Sequence, residues 1–336
     1  MREELASGNK TVFSRKLYYA MKDAIKNKEQ IMLFLNRRGY STFIMCRDCG
    51  YVVKCEECDV SMTYHLDENR LICHYCGKTK EAVLLCPECG SKNIRYFGTG
   101  TQKIEAEIKK YFPQATMIRM DIDTTKVKNG HEKILTKFRD EKIDILLGTQ
   151  MITKGHDFSN VTLVGVLAAD SSINIGDFRA NEKTFQLLTQ MSGRAGRGEK
   201  KGEAIIQTYM PDEFSIMCAK EQDYTKFYNM EINIREKLNY PPFCDIIMSI
   251  ITGTDEENVK KWANKLYNMI SEEFKAFAPA PAPISKINGN YRWRILIKET
   301  LDQEKIETFY EIVNKFYKIQ NSEIKLSIDI NPNNML

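Results

Sequence analysis

No run of apolar residues in this chain of 336 is long enough to span a bilayer. The amino terminus, MREELASGNK, lacks the apolar core of a secretory signal, which points to the cytosol. A strong charge imbalance is missing too. Forty-nine Lys and Arg against 45 Asp and Glu leave +4 at pH 7, so nucleic acid is permitted as a partner but not demanded. No G-x-x-x-x-G-K-[ST] phosphate loop occurs. Gly77-Lys78-Thr79 imitates its end, but Ile72 stands where the first glycine is needed. VLAAD (166–170) imitates an apolar strand ending in a magnesium-binding Asp, but Ser171 follows where a second acid belongs. What remains is an ordinary globular composition, 43% hydrophobic and 28% charged, with length for two or three domains. The abrupt, charged start fits a piece cut from a longer protein.

Cysteine is plentiful and concentrated. Eight of ten lie in four C-x-x-C pairs, Cys46/Cys49, Cys55/Cys58, Cys73/Cys76 and Cys86/Cys89; Cys218 and Cys244 stand apart as small buried apolar residues. A reducing cytosol disfavours disulfides, and redox C-x-x-C motifs come singly. Glycines and a proline beside the pairs (CRDCG, CHYCG, CPECG) suit tight thiolate turns. Four thiolates saturate a tetrahedral zinc, so eight predict two closed, structural zinc sites. The segment DVSMTYHLDENRLI (59–72) reads as strand, turn, strand. That hairpin joins Cys55, Cys58, Cys73 and Cys76 in one site and leaves Cys46, Cys49, Cys86 and Cys89 for the other. Consecutive pairing is the alternative. His65 and His74 could ligate, but eight cysteines leave no vacancy.

Around the cysteines, strands alternate with helices. A helix over 12–27 leads to strands 31–35 and 41–45, and strand 94–97 leaves the Cys-rich segment. Gly98-Thr99-Gly100-Thr101 opens a helix over 102–112, either as an anion-facing turn or as a flexible turn with a Thr cap. Strands at 115–120, 143–147, 161–168 and 204–209, with a helix over 130–139, imply a parallel sheet with helices on both faces. The cysteine segment is an excursion from that α/β unit. After Tyr209 a helix over 223–238 runs to Tyr240-Pro241-Pro242-Phe243, a boundary. Strand 245–252, helix 255–276, a proline-rich turn at 278–283, strands near 284–287 and at 291–298, helix 302–318 and strand 323–330 follow. That order is β-α-β-β-α-β, a split βαβ unit of α+β type. Tyr291 and Trp293 alternate with Arg292 and Arg294 on one strand, so aromatics and cations take opposite faces. Such a strand either stacks bases and holds phosphate, or has core aromatics and solvated arginines.

Two loops carry chemistry. FQLLTQMSGRAGRG (185–198) contains Q-x-x-G-R-x-G-R: Gln190, Gly193, Arg194, Gly196 and Arg197. Phe185, Leu187, Leu188 and Met191 give its helix one buried face, and the glycines break it. Two arginines leave on the broken turn, and guanidinium matches phosphate oxygens bidentately. A plain helix end with solvated arginines is the bland reading. GTQMITKGHDF (148–158) follows the carboxyl end of strand 143–147, where open α/β sheets place ligands. Thr149 can bond a phosphate of a nucleic-acid strand, Gly155 allows close approach and Asp157 can orient a ribose or the arginines. His156 reads as a surface residue. Both loops are expected at strand ends on one edge of the sheet.

The combination resembles the second RecA-like lobe of a superfamily 2 helicase, and the cysteines narrow it to the PriA family of primosomal replication-restart helicases. The matching stretches are FLNRRGY (34–40), the eight cysteines, KGHDF (154–158), DFRANEKTFQLL (177–188), GRAGRG (193–198), PPF (241–243), APAPISKINGNYRWRILIK (280–298) and IDINPNNML (328–336). Ala278-Pro279 stands where the family tends to have Gly-Pro. The resemblance implies a lobe over 1–45 and 93–222, a zinc insert over 46–92, a linker helix over 223–243 and a C-terminal domain over 244–336. It implies a bacterial, cytoplasmic and nucleoid-associated enzyme that uses ATP and Mg2+ to move 3′ to 5′ on DNA. Its partners would be single-stranded and forked DNA, primosome proteins, single-stranded DNA-binding protein and the replicative helicase loader. ATP and Mg2+ would be held by a first lobe that precedes Met1, so this chain alone should be inactive. Within the resemblance Arg197 is the finger on ATP, Arg194 a second phosphate contact and Gln190 the residue that positions water or the arginines. Gly155 and Asp157 approach the nucleotide. Arg37, Arg38, Thr149, Lys154, Tyr291, Arg292, Trp293 and Arg294 contact DNA. A docking module with a vestigial motor pattern is the competing class, and another superfamily 2 enzyme with a zinc insert is a third.

Overall fold

The computed structural model describes residues 1–35, 43–65, 69–97, 101–121, 124–125, 130–149, 158–196 and 200–335. Helices α1 (Arg2–Ala6) and α2 (Arg15–Lys26) precede strand β1 (Gln30–Leu35). Strands β2 (Phe43–Cys46), β3 (Thr63–His65), β4 (Arg70–Ile72), β5 (Thr79–Glu81) and β6 (Ile94–Phe97) belong to the cysteine-rich stretch and its neck. Then come α3 (Thr101–Tyr111), β7 (Met117–Met120), α4 (Gly130–Asp140), β8 (Ile145–Gly148), β9 (Val161–Leu167), α5 (Asp170–Ile173), α6 (Ala180–Ser192) and β10 (Glu203–Ile206). Helices α7 (Phe214–Glu221) and α8 (Tyr224–Lys237) lead to β11 (Asp245–Gly253), α9 (Glu256–Ser271), β12 (Ala280–Ile287), β13 (Asn290–Glu299), α10 (Gln303–Ile319) and β14 (Lys325–Ile330).

Five strands form a parallel sheet in the order β10-β9-β1-β8-β7. A parallel sheet is buried on both faces, which is why β1 reads as an unbroken apolar run. Met32 and Phe34 of β1 join the core under α4 and α6, while Ile31, Leu33 and Leu35 join the one under α2 and α3. The α2 stripe is Leu17, Met21 and Ala24, and the Ser14 side chain caps the helix by accepting from the Leu17 N–H. The excursion leaves and rejoins this unit through the antiparallel β2–β6 pair, in which Cys46 faces Ile94. Inside it β3, β4 and β5 make a small antiparallel sheet.

The last third forms an antiparallel sheet, β12-β13-β11-β14, with β-α-β-β-α-β connections as expected. One face packs on α9 and α10 through Ile247, Ile251, Ile295 and Ile297. The other face, through Ile246, Met248 and Leu296, packs on the cysteine segment. The stretch read as a proline-rich turn is instead the first half of β12. Proline cannot donate to a ladder and is tolerated there because β12 is an edge strand. Helix α9 stops at Ser271, five residues short of the expected end at 276. Helix α7 (FSIMCAKE) was not foreseen: its apolar residues are mixed around the helix and give no clean stripe.

Phe34 is fully buried on a central strand of the parallel sheet. Phe34→Ala is expected to destabilise by about 3–5 kcal/mol, and a thermal melt reads the loss directly.

Candidate metal centres and phosphate-facing loops

The four C-x-x-C turns repeat one construction. The N–H of the residue after each second cysteine donates to the carbonyl of the first: Gly50 to Cys46, Asp59 to Cys55, Gly77 to Cys73 and Gly90 to Cys86, at 2.8–3.0 Å. All four of those residues have left-handed backbone, φ +82, +49, +76 and +68, which explains three glycines and one aspartate. The first cysteine's own N–H then bonds the carbonyl five residues on, at Tyr51, Val60, Lys78 and Ser91.

These turns bring together Cys46, Cys49, Cys86 and Cys89 in one group and Cys55, Cys58, Cys73 and Cys76 in the other, with the sulfurs of each within 4.8 Å of one another. The nested pairing is therefore the one the fold adopts, and the β3–β4 hairpin produces it. Sulfur separations of 3.7, 3.5 and 3.6 Å match the roughly 3.8 Å edge of a tetrahedron with zinc–sulfur bonds of about 2.3 Å. Zinc would take all four of each group as thiolates. A hydrogen bond from Cys58 holds the Cys73 thiol down to about 5 against its burial, while burial pushes Cys49 and Cys76 up to about 12. Four thiolates cannot share such a space unless a metal offsets their charge, so the residues fit a closed zinc site. His65 and His74 lie outside both groups. Their Nε2 atoms are 3.2 Å apart and His74 Nδ1 lies 3.0 Å from the Pro281 carbonyl oxygen.

The glycine-arginine turn sits where α6 ends. Phe185, Leu187, Leu188 and Met191 are its buried face, Gly193 is the C-cap and Gln190 is exposed on the last turn. Arg194 is half-buried in the turn, and Gly196 donates its N–H to the carbonyl of Val161, the first residue of β9, at 3.0 Å. Beyond the turn Lys200 pairs with Glu29 at 2.9 Å, and the Thr162 hydroxyl donates to the same carboxylate at 2.7 Å. Glu29 directly precedes β1, so the turn is pinned to the amino edge of the sheet.

This corrects one expectation. The two loops do not lie together at the carboxyl edge, because α6 runs antiparallel to the strands it connects and returns the chain to their amino ends. The described ends of the stretch 148–158 lie at opposite edges. Gly148 ends β8 at the carboxyl edge, where the half-buried Thr149 bonds the Met120 carbonyl at 3.2 Å. At the far end the Phe158 carbonyl accepts from the Val161 N–H at 3.2 Å, beside the glycine-arginine turn. Arg37, Arg38, Lys154, Gly155, His156, Asp157 and Arg197 lie outside the described residues.

The carboxyl edge carries two features that the sequence did not advertise. Asp121, just past β7, accepts from the Thr101 hydroxyl at 2.9 Å and so ties down the start of α3. Asp170 is fully buried; it accepts from the Thr208 hydroxyl at 2.7 Å and the Tyr209 N–H at 3.0 Å, although burial pushes its carboxyl above the ordinary range. Its role is to pin the exit of β10.

On β13 the predicted alternation holds. Tyr291 and Trp293 are half-buried along the core under α9 and α10. Each faces a lysine: Lys286 lies 4.1 Å from the Tyr291 ring centre and Lys260 lies 5.8 Å from that of Trp293. Arg292 is half-buried and donates to the Ile284 carbonyl at 3.0 Å. Arg294 is a correction: at 2% exposure it reaches no solvent, and it donates to the carbonyls of His74 and Met335. The far face of β13 is covered by the cysteine segment, which a pattern within one strand cannot reveal.

Residues 55–80 match the family described as the PriA DNA helicase Cys-rich region domain, 85–199 the helicase conserved C-terminal domain and 236–333 the primosomal protein N C-terminal domain. The chain is similar over its whole length to the replication restart protein PriA of Bacillus subtilis, 48% identical over 343 residues and 42% of that protein. Similarity to the PriA of Synechocystis is 41% over 99% of the chain and 40% of the relative, and to that of Rickettsia felis 37% over 99% and 51%.

The chain belongs to the PriA family. It spans between 40% and 51% of the length of these relatives. The family's Cys-rich region covers the second sulfur group, and its helicase domain covers the glycine-arginine turn. Among the described residues no helix is long and apolar enough to cross a membrane.

Two outcomes test this geometry. A Cβ at Gly196 would meet the Gly202 nitrogen at 2.4 Å at a φ of +73, so Gly196→Ala should destabilise by about 1–3 kcal/mol in a thermal melt. The Lys200 hydrogen bond holds the Glu29 carboxyl below its ordinary 4.5. Its folded value is depressed, so the pin is present above pH 4.5 and is lost as pH falls through the lower folded value. An NMR titration should place the Glu29 midpoint below that of an exposed glutamate.

Proposed function

We propose that this chain is the C-terminal part of an ATP-dependent 3′-to-5′ DNA helicase that restarts stalled replication forks and assembles the primosome. The observation that carries the reading is the Gly196–Val161 hydrogen bond. It seats the glycine-arginine turn at the amino edge of the sheet, beside Phe158, the last residue of the KGHDF motif. Arg197 is the finger on ATP held by a first lobe, Arg194 a second phosphate contact, Gln190 the positioning residue, and Gly155 and Asp157 approach the nucleotide. Their catalysis is electrostatic: guanidinium groups offset charge on the transferring phosphoryl, and the lobes close and open with each turnover.

The opposite, carboxyl edge, where Thr149 sits, is the DNA side, and Arg37, Arg38 and Lys154 contact the same strand of DNA. Tyr291, Arg292 and Trp293 extend the DNA contact onto the C-terminal unit. The eight cysteines hold two structural zincs, which fix turns and take no part in the reaction. The units are a lobe over 1–45 and 93–222, an insert over 46–92, a linker over 223–243 and a C-terminal domain from 244. Single-stranded and forked DNA, primosome proteins, single-stranded DNA-binding protein and the helicase loader are the partners, in the bacterial cytoplasm at the nucleoid.

In the enzyme with both lobes, Arg197→Ala should lower ATP turnover by a factor of about 10³ to 10⁵ and abolish unwinding while sparing DNA binding. Retained unwinding would reject the finger role. This chain alone should show no DNA-stimulated ATP hydrolysis, and adding a separately made first lobe should restore it.

A further inference from the structure

The two sulfur groups have different neighbours. Around the first, the Arg47 guanidinium lies 4.9 Å from the Tyr209 ring centre, and Ser91 and Asn93 donate to Asp48; these bonds run to the insert itself and to the lobe. Around the second, the turns bond outward in both directions. Toward the lobe, the Ser61 hydroxyl donates to Asn174 Oδ1 at 2.8 Å, and the Tyr75 hydroxyl accepts from the Phe178 N–H at 3.2 Å. Toward the C-terminal sheet, the carbonyl of Cys58, itself one of the four ligands, accepts from the Tyr240 hydroxyl at 2.8 Å. The carbonyl of His74, between the other two ligands, accepts from Arg294 Nε at 2.7 Å and from its Nη2.

A three-way aromatic contact closes the junction. Tyr240 stacks on Phe178 of the lobe at 4.7 Å and 3°, and meets Tyr75 of the insert edge-on at 6.3 Å. Lys298 of β13 lies 3.7 Å from the Tyr240 ring centre and donates to the Leu238 carbonyl at 2.5 Å. The acceptors that face the C-terminal sheet are main-chain carbonyls inside the metal-binding turns, so the shape of those turns sets where Tyr240 and Arg294 sit. A fully buried guanidinium satisfied by carbonyls loses its partners together if the turn moves.

We propose that the centre formed by Cys55, Cys58, Cys73 and Cys76 is the joint that holds the helicase lobe and the C-terminal sheet as one rigid body, with Arg294 as its bolt. The centre formed by Cys46, Cys49, Cys86 and Cys89 closes the neck of the insert and leaves that joint alone. Metal occupancy at the second centre thereby decides whether the aromatic strand β13 travels with the lobe. The inference rests on reading the cysteines as zinc ligands.

Hydrogen exchange on the full chain, with zinc counted by atomic emission, tests it. Cys76→Ser should leave one zinc and speed exchange in residues 238–248 and 290–298 by about tenfold or more. Cys89→Ser should also leave one zinc and keep those segments protected. Arg294→Gln should keep both zincs and open the same segments, and Arg294→Lys should protect them better than Gln does. Unchanged exchange in Arg294→Gln, or equal opening in Cys89→Ser, overturns the joint while the zinc count stands. A wild-type chain without two zincs overturns the zinc reading, and the Arg294 variants then still decide whether the joint exists. If Cys76→Ser does not fold, Arg294→Gln and Tyr240→Phe carry the test.

Discussion

Four sulfurs held within 4.8 Å of one another, twice over, form the constraint on which the rest of the molecule leans. The insert has three strands of three residues each, too little to bury a core of its own. Zinc can supply about 10 kcal/mol per structural site, enough to order such a segment. Once ordered, the insert is more than a decoration on the lobe. Val53, Val60, Met62, Leu71 and Tyr75 share one apolar cluster with Ile246, Met248 and Leu296 of the C-terminal sheet. That sheet therefore has helices on one face and the cysteine turns on the other.

The parallel sheet separates two kinds of chemistry by its polarity. Crossover helices return each strand's chain to the amino edge, so a helix C-terminus such as the glycine-arginine turn can only arrive there. Strand ends deliver Thr149 and Asp121 to the opposite edge. Strand β9 runs between the two. In the function proposed here, phosphate hydrolysis at one edge and grip on DNA at the other are joined by elements whose side chains are buried on both faces, such as β9. A buried strand of this kind transmits displacement because close-packed interiors yield little.

Much of this was legible in the residues. Apolar runs marked β1 and β9, period-2 alternation set the two faces of β13, and four C-x-x-C pairs with their following glycines marked the turns. Even the nested pairing followed from one hairpin, since β3 and β4 must return the chain to where it began. The misses share a cause. Arg294 looked like a surface cation because the surface that covers it comes from residues about 220 positions away. The edge that receives the glycine-arginine turn depends on helix direction, which no local pattern states. Pro281 and Pro283 read as a turn until the strand's place at the sheet edge was known. In each case the deciding contact was long-range, whereas the composition signal was local.

The most direct measurement is X-ray absorption at the zinc edge on the purified chain. The account predicts a first shell of four sulfurs at about 2.3 Å averaged over both metals, with no light scatterer. A first shell containing nitrogen or oxygen would mean that His65, His74 or water completes a site, and the two closed centres would have to be abandoned.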